Sequence, residues 1–398
     1  MLDLKGSTLK DLDDLDAEIR ISQMKKQKTP DFITHKPDFS YFRAVLSKYS
    51  RYSKIIIIGN GGSINSFKAF YESLRHLARK EAIMLTTMEP DRIAEVLQNR
   101  KDDTLVMPIS KSGTTVGQLE STLAFYNAGY RLLPVTGTEG ILAAMVQKNK
   151  LDYIHHPDIG GRFAGRTAVG LVPAMFVGLD AEKINKGCLE MYKECAKIDI
   201  KKNPALRLSV ALYLLEMKGY TEVFMPIYNT RLNGFAQIII QLMHESFCKS
   251  GKGMTFYSAE APESQHHTNQ RFFGGRRNAV GLFVTAAQDD NKTRVNVPQE
   301  FRDIKIRDGT LADLDRIPYA KNLEFEFLGT YHDALNNKIP SIVLRLEKID
   351  EKNVGRFLSF WQLVAWYSSL LRGVNPFDQP QVESSKDISF GMRKSYKR

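Results

Sequence analysis

The sequence predicts an α/β protein built from two doubly wound parallel-sheet domains, each an α-β-α sandwich. Three observations predict this. Short apolar runs of strand type alternate with helical patterns along most of the chain, which is the order that builds parallel sheets. Ile55–Ile58 is four consecutive isoleucines, as expected of a strand buried on both faces. The alternation occurs twice, near residues 45–190 and 205–372. A chain of 398 residues is also too long for one compact core, so two domains are expected from length alone.

The elements follow in order. Residues 1–44 read as a helical arm. Leu12, Leu15 and Ile19 recur at helical spacing, Pro30 and Pro37 interrupt the pattern, and the arm lacks a core of its own. The strand Ile55–Ile58 then runs into the turn Gly59-Asn60-Gly61-Gly62-Ser63 and a helix reaching about His76. Leu105–Ile109 is the next strand, with a helix after Thr114 that carries Leu119, Leu123 and Phe125. Arg131–Val135 reads as a strand, Ile141–Gln147 as a helix, and Tyr153-Ile154 as the start of one more strand. Lys183–Asn203 is rich in lysine and bridges the halves. In the second half Glu222–Ile227, Val280–Thr285 and Ile339–Leu346 read as strands. Leu232–Cys248 is a strong helix with Leu232, Phe235, Ile239, Leu242 and Met243, and Asn353–Leu371 a long apolar one. Residues 258–279 form a long polar loop containing Pro262 and Gly274-Gly275, and a loop of that length is usually functional. The resulting division is an arm at 1–44, a first domain at 45–200, a second at 201–372 and a tail at 373–398.

Composition bounds the function. Hydrophobic content of 43% and charged content of 25% suit a soluble globular protein. No apolar run reaches the roughly 20 residues of a membrane helix, and the N-terminus does not resemble a signal peptide. Cys188, Cys195 and Cys248 show neither metal-ligand spacing nor an even disulfide framework, so a reducing, cytoplasmic setting is expected. The net charge of +11 includes Lys25, Lys26 and Lys28 near the start and Arg393, Lys394, Lys397 and Arg398 at the finish. No nucleic-acid recognition motif accompanies it. A solvated basic surface, or steering of a small anionic substrate, accounts for the charge.

The chemistry concentrates where strands end, the place at which such sheets bind ligands. Leu105–Ile109 gives way to Ser110, Lys111, Ser112, Gly113, Thr114 and Thr115, just before a helix. The first amides of a helix lack internal partners and its dipole favours an anion, while Ser and Thr hydroxyls and a Lys can bind phosphate oxygens. The plainer alternative is a polar turn with Thr114 or Ser112 as N-cap. Gly59-Asn60-Gly61 does not complete a dinucleotide fingerprint, because position 64 is Ile, and Lys111 lacks the preceding Gly-rich loop of a nucleotide triphosphatase. Gly160–Thr167 places Arg162 and Arg166 at the opening of another helix, against its dipole. That misfit points to a functional use for one of them; alternatively one extends to solvent.

Four stretches carry a family resemblance. Gly373-Val374-Asn375-Pro376-Phe377-Asp378-Gln379-Pro380, followed by Val382, Glu383 and Lys386, resembles the C-terminal signature of glucose-6-phosphate isomerases. Gly160-Gly161-Arg162-Phe163 with Ala168-Val169-Gly170-Leu171 is similar to a second family segment. Ile109–Thr115 and Gly59-x-Gly61-Gly62-Ser63 are similar to two more. The resemblance runs in order from about residue 54 to Lys386 and implies two sugar-isomerase (SIS) type domains. Departures are Val116-Gly117-Gln118 after Thr115, and Arg166-Thr167 where the family often has an apolar residue and Ser.

What the resemblance implies is specific. The reaction is cofactor-free interconversion of glucose 6-phosphate and fructose 6-phosphate by proton transfer through a cis-enediolate, a step of glycolysis and gluconeogenesis. Glu245 is the proton-transfer base, with Gln241 one turn earlier on the same helix face. Arg162 stabilises the enediolate. Lys386 contacts the ring oxygen, and His266 opens the ring, with its neighbour His267 as rival. Gly62, Gln241 and Gln379 line the substrate; Ser63, Ser110, Lys111, Ser112 and Thr115 bind its phosphate. Without the resemblance, Gln241 and Glu245 read as a solvated helix face and Lys386 as one of many tail lysines. His244, His266 and His267 give only a weak case for metal, so none is expected. The partner is a small phosphosugar, neither nucleic acid nor a membrane, and the protein is expected to be a homodimer with shared active sites. Two alternatives stand beside this: a dual phosphoglucose/phosphomannose isomerase, and a non-catalytic SIS-domain regulator that binds phosphosugars.

Overall fold

Strand Ile55–Ile58 lies inside the parallel sheet expected of it, with a strand on either side. In a computed structural model describing residues 2–10, 12–287 and 291–396, all four isoleucines are buried. The strands, in chain order, are β1 (Leu2–Lys5), β2 (Lys54–Ile58), β3 (Glu81–Leu85), β4 (Thr104–Ser110), β5 (Arg131–Leu132), β6 (Val135–Thr136) and β7 (Ile154–His155). They continue with β8 (Glu222–Ile227), β9 (Thr255–Glu260), β10 (Ala279–Ala286), β11 (Lys305–Ile306), β12 (Gly309–Thr310) and β13 (Ser341–Leu346). The terminal Lys397 and Arg398, part of the basic tail, lie outside the described residues.

The chain divides into two units. The larger comprises Leu12–Met217, Arg231–Met254 and Asp350–Arg398. Its sheet has the order β3-β2-β4-β6-β7, with β5 also on β4, and every pairing is parallel. The expected strand Arg131–Val135 is two strands. Pro134 has no N–H to donate, and the ladder of β4 passes from Val106↔Leu132 to Ile109↔Val135 across a gap holding Pro108 and Pro134. The order reverses between β2 and β4, so the turns Gly59–Ser63 and Ser110–Thr115 leave neighbouring strands at the switch point. Ile56, Ile58, Val106, Phe125 and Leu132 form the core beneath one face.

Helices Pro204–Met217, Phe235–Phe247 and Glu351–Arg372 belong to this larger unit, so its limits cut across the expected boundary at 200. The lysine-rich bridge is instead largely the helix Ala181–Glu194, lying against Glu351–Arg372. The two approach at paired glycines: a Cβ on Gly187 would stand 1.8 Å from the Lys352 carbonyl oxygen, and one on Gly355 2.0 Å from that of Ile184. Only glycine allows such contact.

The smaller unit comprises Met1–Asp11, Lys218–Thr230 and Thr255–Ile349. Its sheet has the order β1-β13-β10-β8-β9, parallel except at β1, which pairs antiparallel with β13 from Leu2↔Leu346 to Lys5↔Val343. The arm is therefore not wholly helical: its first residues are an edge strand, and helix follows at Leu15–Met24. A β-branched or aromatic run announces a strand better than Leu-Asp-Leu-Lys does. The polar loop expected at 258–279 is also structured, with β9, a 3-10 turn Glu263–His266 and a helix Thr268–Gly274. Phe272 anchors that helix in an aromatic core with Phe224, Phe283 and Phe327. The helix Tyr319–Asn336, not anticipated from its sequence, supplies Phe327.

Candidate active site

The site is assembled from backbone turns first. Strand β2 ends in the 3-10 turn Gly61–Ser63, and Gly62 lies directly on the segment Gly161–Arg162. A Cβ on Gly62 would stand 2.0 Å from the Gly161 carbonyl carbon, and one on Gly61 2.7 Å from Gln241 Nε2. The glycines therefore let three chain segments meet. Arg162 lies in a 3-10 stretch, Gly161–Arg166, that precedes the helix Ala168–Phe176. The expected clash of arginines with a helix dipole is absent, because the α-helix starts after them and Thr167 caps it by accepting from the Val169 N–H at 3.3 Å.

Arg162 is 2% exposed and uses every N–H it has. Nε donates to Ser246 Oγ at 3.0 Å. One terminal nitrogen donates to Glu245 Oε2 at 3.0 Å and to Gln379 Oε1 at 2.8 Å. The other donates to the carbonyls of Pro376 and of Asp378, the latter at 3.0 Å. Burial pulls the guanidinium pKa down and the Glu245 charge opposes it; the group stays a cation with its partners in place.

Glu245 and Ser246 come from the last turn of the helix Phe235–Phe247. Gln241, one turn earlier, donates through Nε2 to Glu245 Oε1 at 3.0 Å, and Asn65 Nδ2 donates to Gln241 Oε1 at 3.0 Å. Both carboxylate oxygens of Glu245 are thus held, one by an amide and one by a cation. Each still has an unused lone pair, and the side chain remains 27% exposed. A fixed, partly open carboxylate beside a dry cation is the equipment for moving a proton on a carbon acid whose conjugate base is an oxyanion.

The phosphate candidates form a second group at the end of β4. Ser110 Oγ accepts from the Gly113 N–H at 3.0 Å, which closes the turn. Ser112 Oγ and Thr114 Oγ1 are 2.8 Å apart. Thr115 occupies the N-cap of the helix Val116–Asn127 but makes no side-chain cap bond, so its hydroxyl is free of that duty. Lys111 pairs with Asp158, whose carboxylate it holds below the usual range. Beside the turn lies a cavity of about 510 Å³ lined by Lys111, Ser112, Thr114, Gly140 and His156. Burial pushes the His156 imidazole down to about 4, so it is neutral at physiological pH, with Nδ1 donating to the Pro157 carbonyl at 2.8 Å.

Gly62, Gln241, Glu245, Arg162 and Gln379 thus meet in one cluster, with Ser63 in the adjoining turn and Ser110, Lys111, Ser112 and Thr115 in the strand-end loop. One expected residue of the same unit, Lys386, does not join them in contact. Lys386 is on the helix Ser384–Ser395 and pairs with Glu383 at 2.8 Å. His266 belongs to the smaller unit, exposed at the end of its 3-10 turn; neighbouring His267 bonds Glu263 and Thr268 instead. Sequence reasoning missed Asn65, Ser246 and Asp378. Asp378 stands inside the quoted tail signature, and Ser246 adjoins Glu245, but nothing in their local pattern marks their carbonyl or hydroxyl as a ligand. Among the described residues no three His, Cys, Asp or Glu side chains converge as metal ligands would, and no helix is long and apolar enough to cross a membrane.

Parallel strands with polar turns at the switch point, and a carboxylate–arginine pair against them, make this a doubly wound α/β protein with a candidate ligand site at its strand ends. Comparison makes the assignment particular. A model of the phosphoglucose isomerase family matches residues 46–398, and the chain belongs to that family. A glucose-6-phosphate isomerase from Acholeplasma laidlawii is 30% identical over 359 residues, covering 84% of this chain and 82% of the relative. One from Methanocaldococcus jannaschii is 28% identical over 363 residues, covering 88% and 87%. Among solved structures, a hypothetical protein from Thermus thermophilus shares the fold over the whole of both chains, with a TM-score of 0.86 at 24% identity. A glucose-6-phosphate isomerase from Chlamydia trachomatis does so with a TM-score of 0.79 at 20% identity, covering 99% of this chain and 89% of that one.

Proposed function

We propose that the protein interconverts glucose 6-phosphate and fructose 6-phosphate, with Glu245 as the base that carries the proton between C2 and C1. The observation that supports this most is the Arg162–Glu245 pair, held at 3.0 Å inside the stretch the family model matches. Curated relatives share the activity in their names, and they favour neither a dual glucose/mannose phosphate enzyme nor a non-catalytic regulator.

In this reading the substrate phosphate lies against Ser63, Ser110, Lys111, Ser112 and Thr115, where the first amides of Val116–Asn127 are unpaired inside the helix. Negative charge on the enediolate oxygens is met by Arg162. Its five N–H groups already have acceptors, so it acts as a preorganised charge, or exchanges the Gln379 or Glu245 contact for substrate oxygen. Gln241 and Gln379 orient the carboxylate and the arginine. Lys386 and His266 open the ring, with His266 contributed to the neighbouring subunit's site in a homodimer. A cytoplasmic setting agrees with three unpaired cysteines, two of them buried.

The test is a coupled assay with glucose 6-phosphate, fructose 6-phosphate and mannose 6-phosphate. Turnover of the first two is expected. Turnover of mannose 6-phosphate at a comparable rate establishes the dual enzyme instead, and binding of all three without turnover establishes a regulator.

A further inference from the structure

We infer that Lys249 is a positioning residue of the isomerase site, fixing the tail turn that holds Arg162; this rests on the isomerase reading. The helix that delivers Glu245 and Ser246 ends at Phe247, and Lys249 follows two residues later. Its side chain is 9% exposed. The ammonium has three N–H groups, and three acceptors meet it: the carbonyl of Asn375, the carbonyl of Asp378 at 2.6 Å and the carboxylate of Asp378 at 2.5 Å. The turn also bonds itself, from Asn375 Nδ2 to Asp378 Oδ2 at 3.1 Å and from the Phe377 N–H to Asn375 Oδ1 at 3.0 Å.

The same turn carries the Pro376 and Asp378 carbonyls that accept from Arg162, and the Asp378 carbonyl is shared by Arg162 and Lys249. One helix end therefore reaches the arginine twice. Glu245 and Ser246 touch it directly, and Lys249 holds the backbone on its far side. A nearly buried cation is costly unless fully paired, and here the pairing is spent on main-chain oxygens of one turn. Loss of the ammonium leaves those oxygens to compete for Arg162 and lets the turn move, and small misplacements at a reacting centre are expensive in rate.

The experiment is steady-state kinetics on Lys249→Met, Lys249→Arg and Asp378→Asn beside the unaltered protein. For Lys249→Met, kcat should fall about ten- to hundredfold with KM for fructose 6-phosphate within about twofold. Competitive inhibition by inorganic phosphate should not change, because the strand-end loop is untouched. Lys249→Arg should recover most of the loss. Normal turnover of Lys249→Met overturns the inference, as does a Lys249→Arg no better than it, or phosphate inhibition weakened in step with kcat. Should Lys249→Met fail to fold, Asp378→Asn carries the test. It keeps every carbonyl and should lower kcat about three- to tenfold at constant KM; unchanged kcat overturns the inference. An unaltered protein with no isomerase activity removes the parent reading, and the inference falls with it, whereas activity with insensitive variants removes only the inference.

Discussion

Arg162 and Arg166 lie four residues apart in one 3-10 stretch, both almost wholly buried, and they do opposite things. Arg162 gathers Glu245, Ser246, Gln379 and the tail turn. Arg166 faces the arm: it donates to the carbonyls of Phe32 at 3.3 Å, Ile33 at 2.9 Å and His35, and to Asn185 Oδ1 at 3.0 Å, with its guanidinium over the Tyr192 ring. Burial and charge are the same in both. The difference is the partner: a carboxylate that remains 27% exposed for Arg162, and spent main-chain carbonyls for Arg166. A buried arginine becomes part of a site only where its acceptor can still do chemistry.

The largest effect should come from breaking the Arg162 side of this comparison. Glu245→Gln keeps the size but removes the proposed base, and its one amide oxygen can accept from Arg162 or from Gln241 Nε2 but not from both. The rate of isomerisation should fall by roughly two to four orders of magnitude while substrate binding, measured by calorimetry, persists. A variant with near-normal turnover removes Glu245 from its role.

Breaking the Arg166 side should cost stability instead. Arg166→Met leaves the carbonyls of Phe32, Ile33 and His35 without their donor, and unsatisfied buried acceptors cost about 1–3 kcal/mol each before relaxation. A net loss of about 2–4 kcal/mol in urea unfolding is expected, with kcat per folded molecule unchanged. A fall in kcat with unchanged stability places Arg166 in the site and dissolves the contrast.

The contrast also shows how far the sequence reached. Two basic residues before an apolar helix were visible as an anomaly, but their destinations were set by segments far away in the chain: residues 32–35 for one, 376–379 for the other. Sheets were legible where the strands are apolar on both faces, as at Ile55–Ile58 and Leu105–Ile109. Strand β1 was not, because Leu-Asp-Leu-Lys owes its pairing to the edge of β13 rather than to its own pattern. The helix Thr268–Gly274 was hidden for a like reason: Phe272, with Phe273 packed beside it, holds an otherwise polar segment in place. The site residues came almost wholly from motif resemblance, whereas Asn65 and Ser246 act through single hydrogen bonds that no spacing announces.

A smaller effect should separate the strand-end loop Ser110–Thr115, proposed to hold the phosphate, from the Arg162 cluster. Ser110→Ala with Thr115→Ala should raise KM roughly ten- to hundredfold through lost charge-assisted hydrogen bonds. Turnover should change less, because the phosphate is remote from the bonds that change. Inorganic phosphate or sulfate should compete with substrate in the unaltered protein and weakly in the double variant. Normal substrate binding by the variant places the phosphate elsewhere.

The smallest expected signal is a partial recovery, and it tests whether the cluster is complete within one chain. Arg162, Glu245 and Gln241 meet in the larger unit, while His266 stands exposed in the smaller, at the end of its 3-10 turn. In an isologous dimer each site would take Glu245 from one chain and His266 from the other. Glu245→Gln and His266→Ala would then be inactive separately for different reasons. Mixed under conditions that exchange subunits, half of the dimers become hybrids. Each hybrid has one site carrying both lesions and one carrying neither, so activity should rise to roughly a quarter of the unaltered protein's. Exchange is followed independently by native mass spectrometry, with one variant isotopically labelled. If hybrids form and activity stays at the level of the separate variants, each site is built within a single chain, and the exposed position of His266 needs a partner other than a second copy.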